Sequence, residues 1–193
     1  MKDQRWIGKV ILIAVCISVS ACLQVFADHF IYWKPGLVPE VRRLWTAHWL
    51  HVGWMHFFLN MLAFSFLPFI FPHARNWHLG ALLLVLPPFI SLIFYFYLPY
   101  IEAYAGLSGV LHGLYTAVSL AYLQYPHERK FAILVLVLIA AKIIWENTFG
   151  QTGTAQLIGS PVLTEAHLIG AIGGLLCGLG YLLVKRKYRE HTN

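Results

Sequence analysis

Ala105-Gly106-Leu107-Ser108-Gly109-Val110-Leu111-His112-Gly113 sets a serine between two glycines, with a histidine four residues further on, inside a run that is otherwise apolar. Glycine and serine are common packing residues in transmembrane helices, so a Gly-x-Ser-Gly pattern carries little weight alone. Its meaning depends on two things: whether the chain around it spans a membrane, and whether that chain brings a base and an oxyanion site to the depth of Ser108.

Composition answers the first. Of 193 residues 59% are hydrophobic and only 11% charged, well outside the range of soluble domains. The expected class is an all-α integral membrane protein in a single domain, 1–193, without internal repeat or linker. Both ends are basic (Lys2, Arg5 and Lys9; Lys185, Arg186, Lys187 and Arg189), so the net charge of +6 reports membrane orientation and not nucleic-acid binding. Cys16, Cys22 and Cys177 fall in apolar runs and suggest neither a disulfide framework nor a Cys-x-x-Cys metal site.

Six spans are expected, at about 7–26, 51–71, 79–98, 108–125, 131–146 and 165–184. Val19-Ser20-Ala21-Cys22 looks like a lipoprotein cleavage box, but the apolar run continues past Cys22, so a retained span is expected. The aromatic-rich connection 27–50 should rest in the membrane interface. Pro87-Pro88 should kink the third span or split it. The fifth is short, and a glycine- and threonine-rich loop, 147–164, follows it.

Six spans put both termini on one side. Assigning them to the cytoplasm places ten basic residues inside (Lys2, Arg5, Lys9, Arg75, Arg129, Lys130 and the four from Lys185 to Arg189) against three outside, Lys34, Arg42 and Arg43. Ser108 then opens the fourth span near the outer surface, and His167 lies near the outer end of the sixth. The second span runs inward from His51, with His56 about 7.5 Å deeper and Asn60 one turn below, on the same face. Polar groups at that depth should face the bundle interior. A neutral histidine can take the serine proton, and Asn, His and backbone N–H groups, that of Ser108 included, can hold an oxyanion. The nearby carboxylates, Glu102 and Glu165, lie in a loop and at a helix end, so a Ser-His dyad is expected rather than a triad.

Gly106-Leu107-Ser108-Gly109, His56-x-x-x-Asn60 and Ala166-His167-x-x-Gly170-x-x-x-Gly174, in this order of spans, resemble the rhomboid intramembrane serine proteases. The Gly-Leu-Ser-Gly-Val-Leu-His-Gly run and the Lys142…Trp145-Glu146 stretch most resemble the rhombosortases among them. The resemblance implies a six-helix rhomboid-like bundle in a bacterial inner membrane, its active site opening to the periplasm. Ser108 would be the nucleophile, His167 the general base, and His56 and Asn60 the oxyanion donors. Gly106 and Gly109 would shape the serine turn, Gly170 and Gly174 would let the sixth helix approach the fourth, and Arg43 would hold the first loop. The implied substrates are exported proteins with a C-terminal Gly-Gly segment, apolar helix and basic cluster, their acyl group passing to water or to a lipid amine. No cofactor is implied.

His112 stands where many rhomboids have a tyrosine beneath the catalytic histidine; it leans back toward Ser108 and competes with His167 for the role of base. Lys142 and Glu146, at i,i+4, either neutralise each other or line a gate for the substrate tail. His48 and His51 read as structural. A metalloprotease is disfavoured, since His127-Glu128 is followed by Phe131 where His-Glu-x-x-His needs histidine. A haem- or metal-binding carrier using His51, His56, His112 and His167 remains the second reading, and a transporter, suggested only by Pro87-Pro88, the third.

Overall fold

A computed structural model describes residues 2–150 and 152–192; the side chains of Lys2, Arg5 and Arg189 lie outside the described set. In chain order the helices are α1 (Lys2–Val25), α2 (Ala27–Phe30), α3 (Arg43–Thr46), α4 (Trp54–Ile70), α5 (Asn76–Tyr97), α6 (Ser108–Tyr122), α7 (Arg129–Phe149), α8 (Thr152–Ile158) and α9 (Thr164–Thr192). Two short strands, β1 (Tyr32–Trp33) and β2 (Ala103–Tyr104), pair antiparallel, with Tyr32 opposite Tyr104.

Among the described residues four helical segments are each long and apolar enough to cross a membrane: Trp6–Val25, Asn76–Tyr97, Arg129–Phe149 and Thr164–Tyr188. The second and fourth expected spans form the shorter helices α4, of 17 residues, and α6, of 15. Helix α6 is the centre of the bundle. Val110, Leu114, Ala117 and Val118 are buried on it, and its main neighbour is α9.

The two helices approach at glycines. A Cβ on Gly109 would lie 2.7 Å from the carbonyl oxygen of Ala166, and one on Gly113 2.6 Å from that of Gly170. From the other side, a Cβ on Gly170 or Gly174 would collide with the carbonyls of Gly109 and Gly113. Backbone therefore packs on backbone, the close approach that small residues permit where no hydrophobic effect drives helices together.

Pro87 and Pro88 do not split the third span, which is the unbroken helix α5. Proline at 88 deprives the carbonyl of Leu84 of its usual donor, and the indole Nε1 of Trp45 donates to that oxygen at 2.8 Å. A neighbouring side chain thus satisfies the freed group, as intramembrane prolines require. The same solution ends α4. Pro72 offers no N–H to the carbonyl of Pro68, and the buried Lys9 ammonium donates to Pro68 and Pro72 oxygens at 2.7 Å each. That cation also meets the negative end of the helix dipole.

The fifth span is longer than expected. α7 runs through Glu146 to Phe149, where Gly150, at φ 79°, stops it. The expected loop 147–164 is partly helical, as α8.

The connection 27–50 folds against the bundle rather than crossing it. Residues Arg43–Trp49 and Trp54–Ile70 meet at a bend of 93°. Helix α1 braces the bend: the Gln24 amide donates to the His51 carbonyl at 2.7 Å and accepts from its N–H at 2.8 Å, while Ser20 donates to the Trp49 carbonyl. The Arg43 guanidinium, buried, donates to the carbonyls of Ile31 and Asp28 and to Glu40. Its hydrogen bond holds the Glu40 carboxyl below the usual carboxylate range.

Candidate active site

Three short connections fix where α6 begins. Lys34 donates its N–H to the Glu102 carbonyl at 2.8 Å beside the β1–β2 pair, Gly106 donates its N–H to the Ala47 carbonyl at 3.1 Å, and the Tyr104 hydroxyl donates to the Gly106 carbonyl at 2.5 Å. Gly106 leaves little room for a side chain, since a Cβ there would lie 3.1 Å from Cε1 of His56. The turn into α6 is thereby pinned under the His56 ring, and Ser108 is the first residue of the helix.

Across the glycine contact, His167 turns its Nε2 to the Ser108 hydroxyl at 2.8 Å. Its other nitrogen, Nδ1, lies 2.6 Å from Oε2 of Glu146, which is buried on α7. A carboxylate can only accept, so Nδ1 carries the hydrogen and Nε2 is left as the acceptor for the serine proton. The expectation that no carboxylate would reach the histidine is wrong. Glu146 was assigned to Lys142, and the ion pair is present, but it uses Oε1 and leaves Oε2 for His167. Removing a carboxylate from water costs several kcal/mol in a protein interior, and it is tolerated here because both oxygens have cationic or N–H partners. A gate lined by Glu146 does not fit this burial; Lys142, whose side chain is half exposed, faces the same cavity as Ser108.

His112 takes a different place from the one that made it a rival base. Its Nδ1 donates to the Ser108 backbone carbonyl at 2.7 Å, and its ring lies flat on His167, centroids 4.2 Å apart and planes within 15°. The imidazole packs against the face of its neighbour instead of contacting the serine oxygen. His56 and Asn60 stand opposite, on α4. Asn60 donates one N–H of Nδ2 to the His56 carbonyl at 3.0 Å, and its second amide hydrogen has no part in that bond. The His56 ring meets His51 edge-on at 5.0 Å, and its buried Nδ1 has no hydrogen-bond partner among the described residues.

These residues line one cavity of about 260 Å³, which reaches Ser108, His167, His56, Asn60, His112 and Lys142. Thr154 and Ile158 of α8 close one side of it, so the segment read as a plain loop forms part of the wall. Gly170 and Gly174 act one turn apart along the contact that brings α9 to α6. His48 is structural: its Nε2 meets the Ser91 hydroxyl at 2.9 Å, inside the protein.

His112, Glu146 and His167 bring donor atoms within 4.8 Å of one another, as a metal site would. Imidazole lone pairs lie in the ring plane, and in stacked rings they run side by side instead of meeting at a point ~2.1 Å from each nitrogen. Both Nδ1 atoms already have partners. The arrangement suits transfer of the Ser108 proton to His167, with the Glu146 carboxylate accepting from Nδ1, better than coordination, and the unbroken α5 removes the observation behind the transporter reading.

Residues 38–185 match the family model described as Rhomboid domain. The chain has no match among the curated proteins compared.

Proposed function

Because residues 38–185 make this chain a member of the rhomboid family of intramembrane serine proteases and a multi-pass membrane protein, we propose that it cleaves membrane-tethered proteins by a Ser108–His167 mechanism in which Glu146 is the third member. The observation that carries the reading is the continuous line from the Ser108 hydroxyl through both nitrogens of His167 to the Glu146 carboxylate, at 2.8 and 2.6 Å.

In this mechanism Ser108 attacks the scissile carbonyl as its proton passes to Nε2 of His167. The imidazolium that forms is stabilised by Glu146, which also fixes the tautomer. The oxyanion is held by the Ser108 amide at the start of α6, by the second amide hydrogen of Asn60 and by His56. His167 then gives the proton to the departing amine, and water or another nucleophile releases the acyl-enzyme. The rhombosortase-like runs at Gly106–Gly113 and Lys142–Glu146 favour substrates with a C-terminal Gly-Gly, apolar helix and basic tail. The surplus of basic residues at the end away from the site favours that end as the cytoplasmic one, and the rhombosortase-like runs favour a bacterial inner membrane with the site on its periplasmic side.

A membrane-anchored reporter carrying such a tail tests the assignment. His167→Ala should lower cleavage by roughly 10⁴-fold or more, as loss of a catalytic histidine does elsewhere. His112→Ala removes the ring packing and the Nδ1 hydrogen bond to the Ser108 carbonyl, about 2 kcal/mol together, and should cost no more than about thirtyfold. The reverse pattern would make His112 the base.

A further inference from the structure

Another cavity lies at the other end of the bundle. It has a volume of about 320 Å³ and opens between α5, α6 and α9, far along those helices from Ser108. Its inner wall is apolar, with Leu82 and Val85 from α5, Val118 and Ala121 from α6, and Gly178 from α9. Its mouth is polar and basic. His73, Arg75 and His78 line it, together with Tyr125 and Tyr181. The Lys185 ammonium stands over the latter two rings, at 5.8 and 5.9 Å from their centroids, and donates to the Gln124 side chain. None of the described residues lining the cavity is acidic.

Apolar depth under a cationic mouth is the pattern of an amphiphile with a negative head. Arg75 immediately precedes α5, whose first-turn N–H groups and dipole add to the positive field there. The same end of the bundle carries Lys9, bound to the end of α4, so the cations lie together at one membrane surface. Basic pockets between transmembrane helices at that level suit acidic lipid headgroups. A zwitterionic lipid would bring its own ammonium against a lining that, among the described residues, has no carboxylate to receive it.

We propose that this cavity binds one anionic phospholipid, its phosphate held by Arg75, His78 and Lys185 and one acyl chain lying along Leu82, Val85 and Val118. The lipid would occupy the seam that α5 makes with α6 and α9. Those last two helices present Ser108 and His167 at their far ends, so its effect is on how firmly they are held together. The site does not rest on the protease reading.

The test is retention of lipid by the full chain. The protein, extracted in mild detergent, is exposed to equal amounts of phosphatidylglycerol and phosphatidylcholine and read by native mass spectrometry, with circular dichroism to confirm the helical fold. The wild type should retain one phosphatidylglycerol per chain, at least fivefold in preference to phosphatidylcholine. Arg75→Gln combined with Lys185→Gln should lose that preference, and Arg75→Lys should keep it. Val85→Trp, which fills the apolar half, should retain less of both lipids. Equal retention of the two lipids by the wild type would overturn the proposal, and that comparison requires no variant to fold. An unchanged preference in the double charge variant would also overturn it. So would stabilisation against heating by inorganic phosphate equal to that by phosphatidylglycerol, because a bare anion site would then suffice.

Discussion

Glu146→Gln is expected to lower cleavage roughly 10⁴-fold while the helices stay folded, the size of loss seen when the buried acid of a serine triad is converted to its amide. Glutamine has the same shape, so the change tests proton placement and not packing. Lys142 decides how the new amide sits. Its ammonium, paired with Oε1 in the native protein, can only donate, so it selects the amide oxygen and turns the NH₂ toward His167. Nδ1 must then accept, the imidazole hydrogen moves to Nε2, and Nε2 can no longer take the serine proton. The rate of reporter cleavage at equal protein level checks this. Full activity in Glu146→Gln would show that His167 is oriented without the carboxylate and that the site works as a dyad.

The second large effect belongs to the glycine contact. Gly170→Val should abolish measurable cleavage and lower thermal stability by about 1–3 kcal/mol or more, because the added carbon falls on the Gly109 carbonyl, which no rotamer change can move. Separation of α6 and α9 by ~1 Å is enough to cost ~10² in rate where a nucleophile and its base must meet. Gly180 lies on the same helix with nothing within 4 Å of its Cβ position, so Gly180→Val should leave both activity and stability unchanged. Equal effects of the two substitutions, read by cleavage and by thermal unfolding in detergent, would mean that the helix tolerates valine poorly anywhere and that the contact is not special.

Much of the site was legible before any coordinates. Basic-residue bias and span count bring Ser108, His167 and the His56/Asn60 face to one depth, and small residues four apart mark where α9 meets α6. What was hidden has physical causes. Glu146 lies at the far end of the same span that carries Lys142, and an i,i+4 pair explains both residues so economically that nothing calls for a third partner. A carboxylate has two oxygens, however, and the span topology already put Glu146 at the depth of His167. That Pro87-Pro88 leaves the helix unsplit was hidden for a similar reason: the donor that replaces the missing N–H at Leu84 is Trp45, which is remote in sequence. The wall supplied by α8 was hidden because a seven-residue segment with two threonines and a glycine carries no helical period of its own.

His112 shows where spacing alone stops. Four residues after Ser108, it is correctly placed on the same face, and helical geometry leans it toward the serine. The structure adds that its Nδ1 is taken by the Ser108 carbonyl and that its ring is stacked on His167. A flat ring thus lies against His167, held there by the Nδ1 hydrogen bond to the Ser108 carbonyl.

The most direct measurement is covalent labelling of the detergent-solubilised protein by a fluorophosphonate, which reacts with a serine only when a base activates it. Labelling at Ser108 in the wild type is predicted, with none in Ser108→Ala, little in His167→Ala, and labelling retained in His112→Ala. Absence of labelling in folded wild-type protein, or labelling that survives Ser108→Ala, would contradict the account.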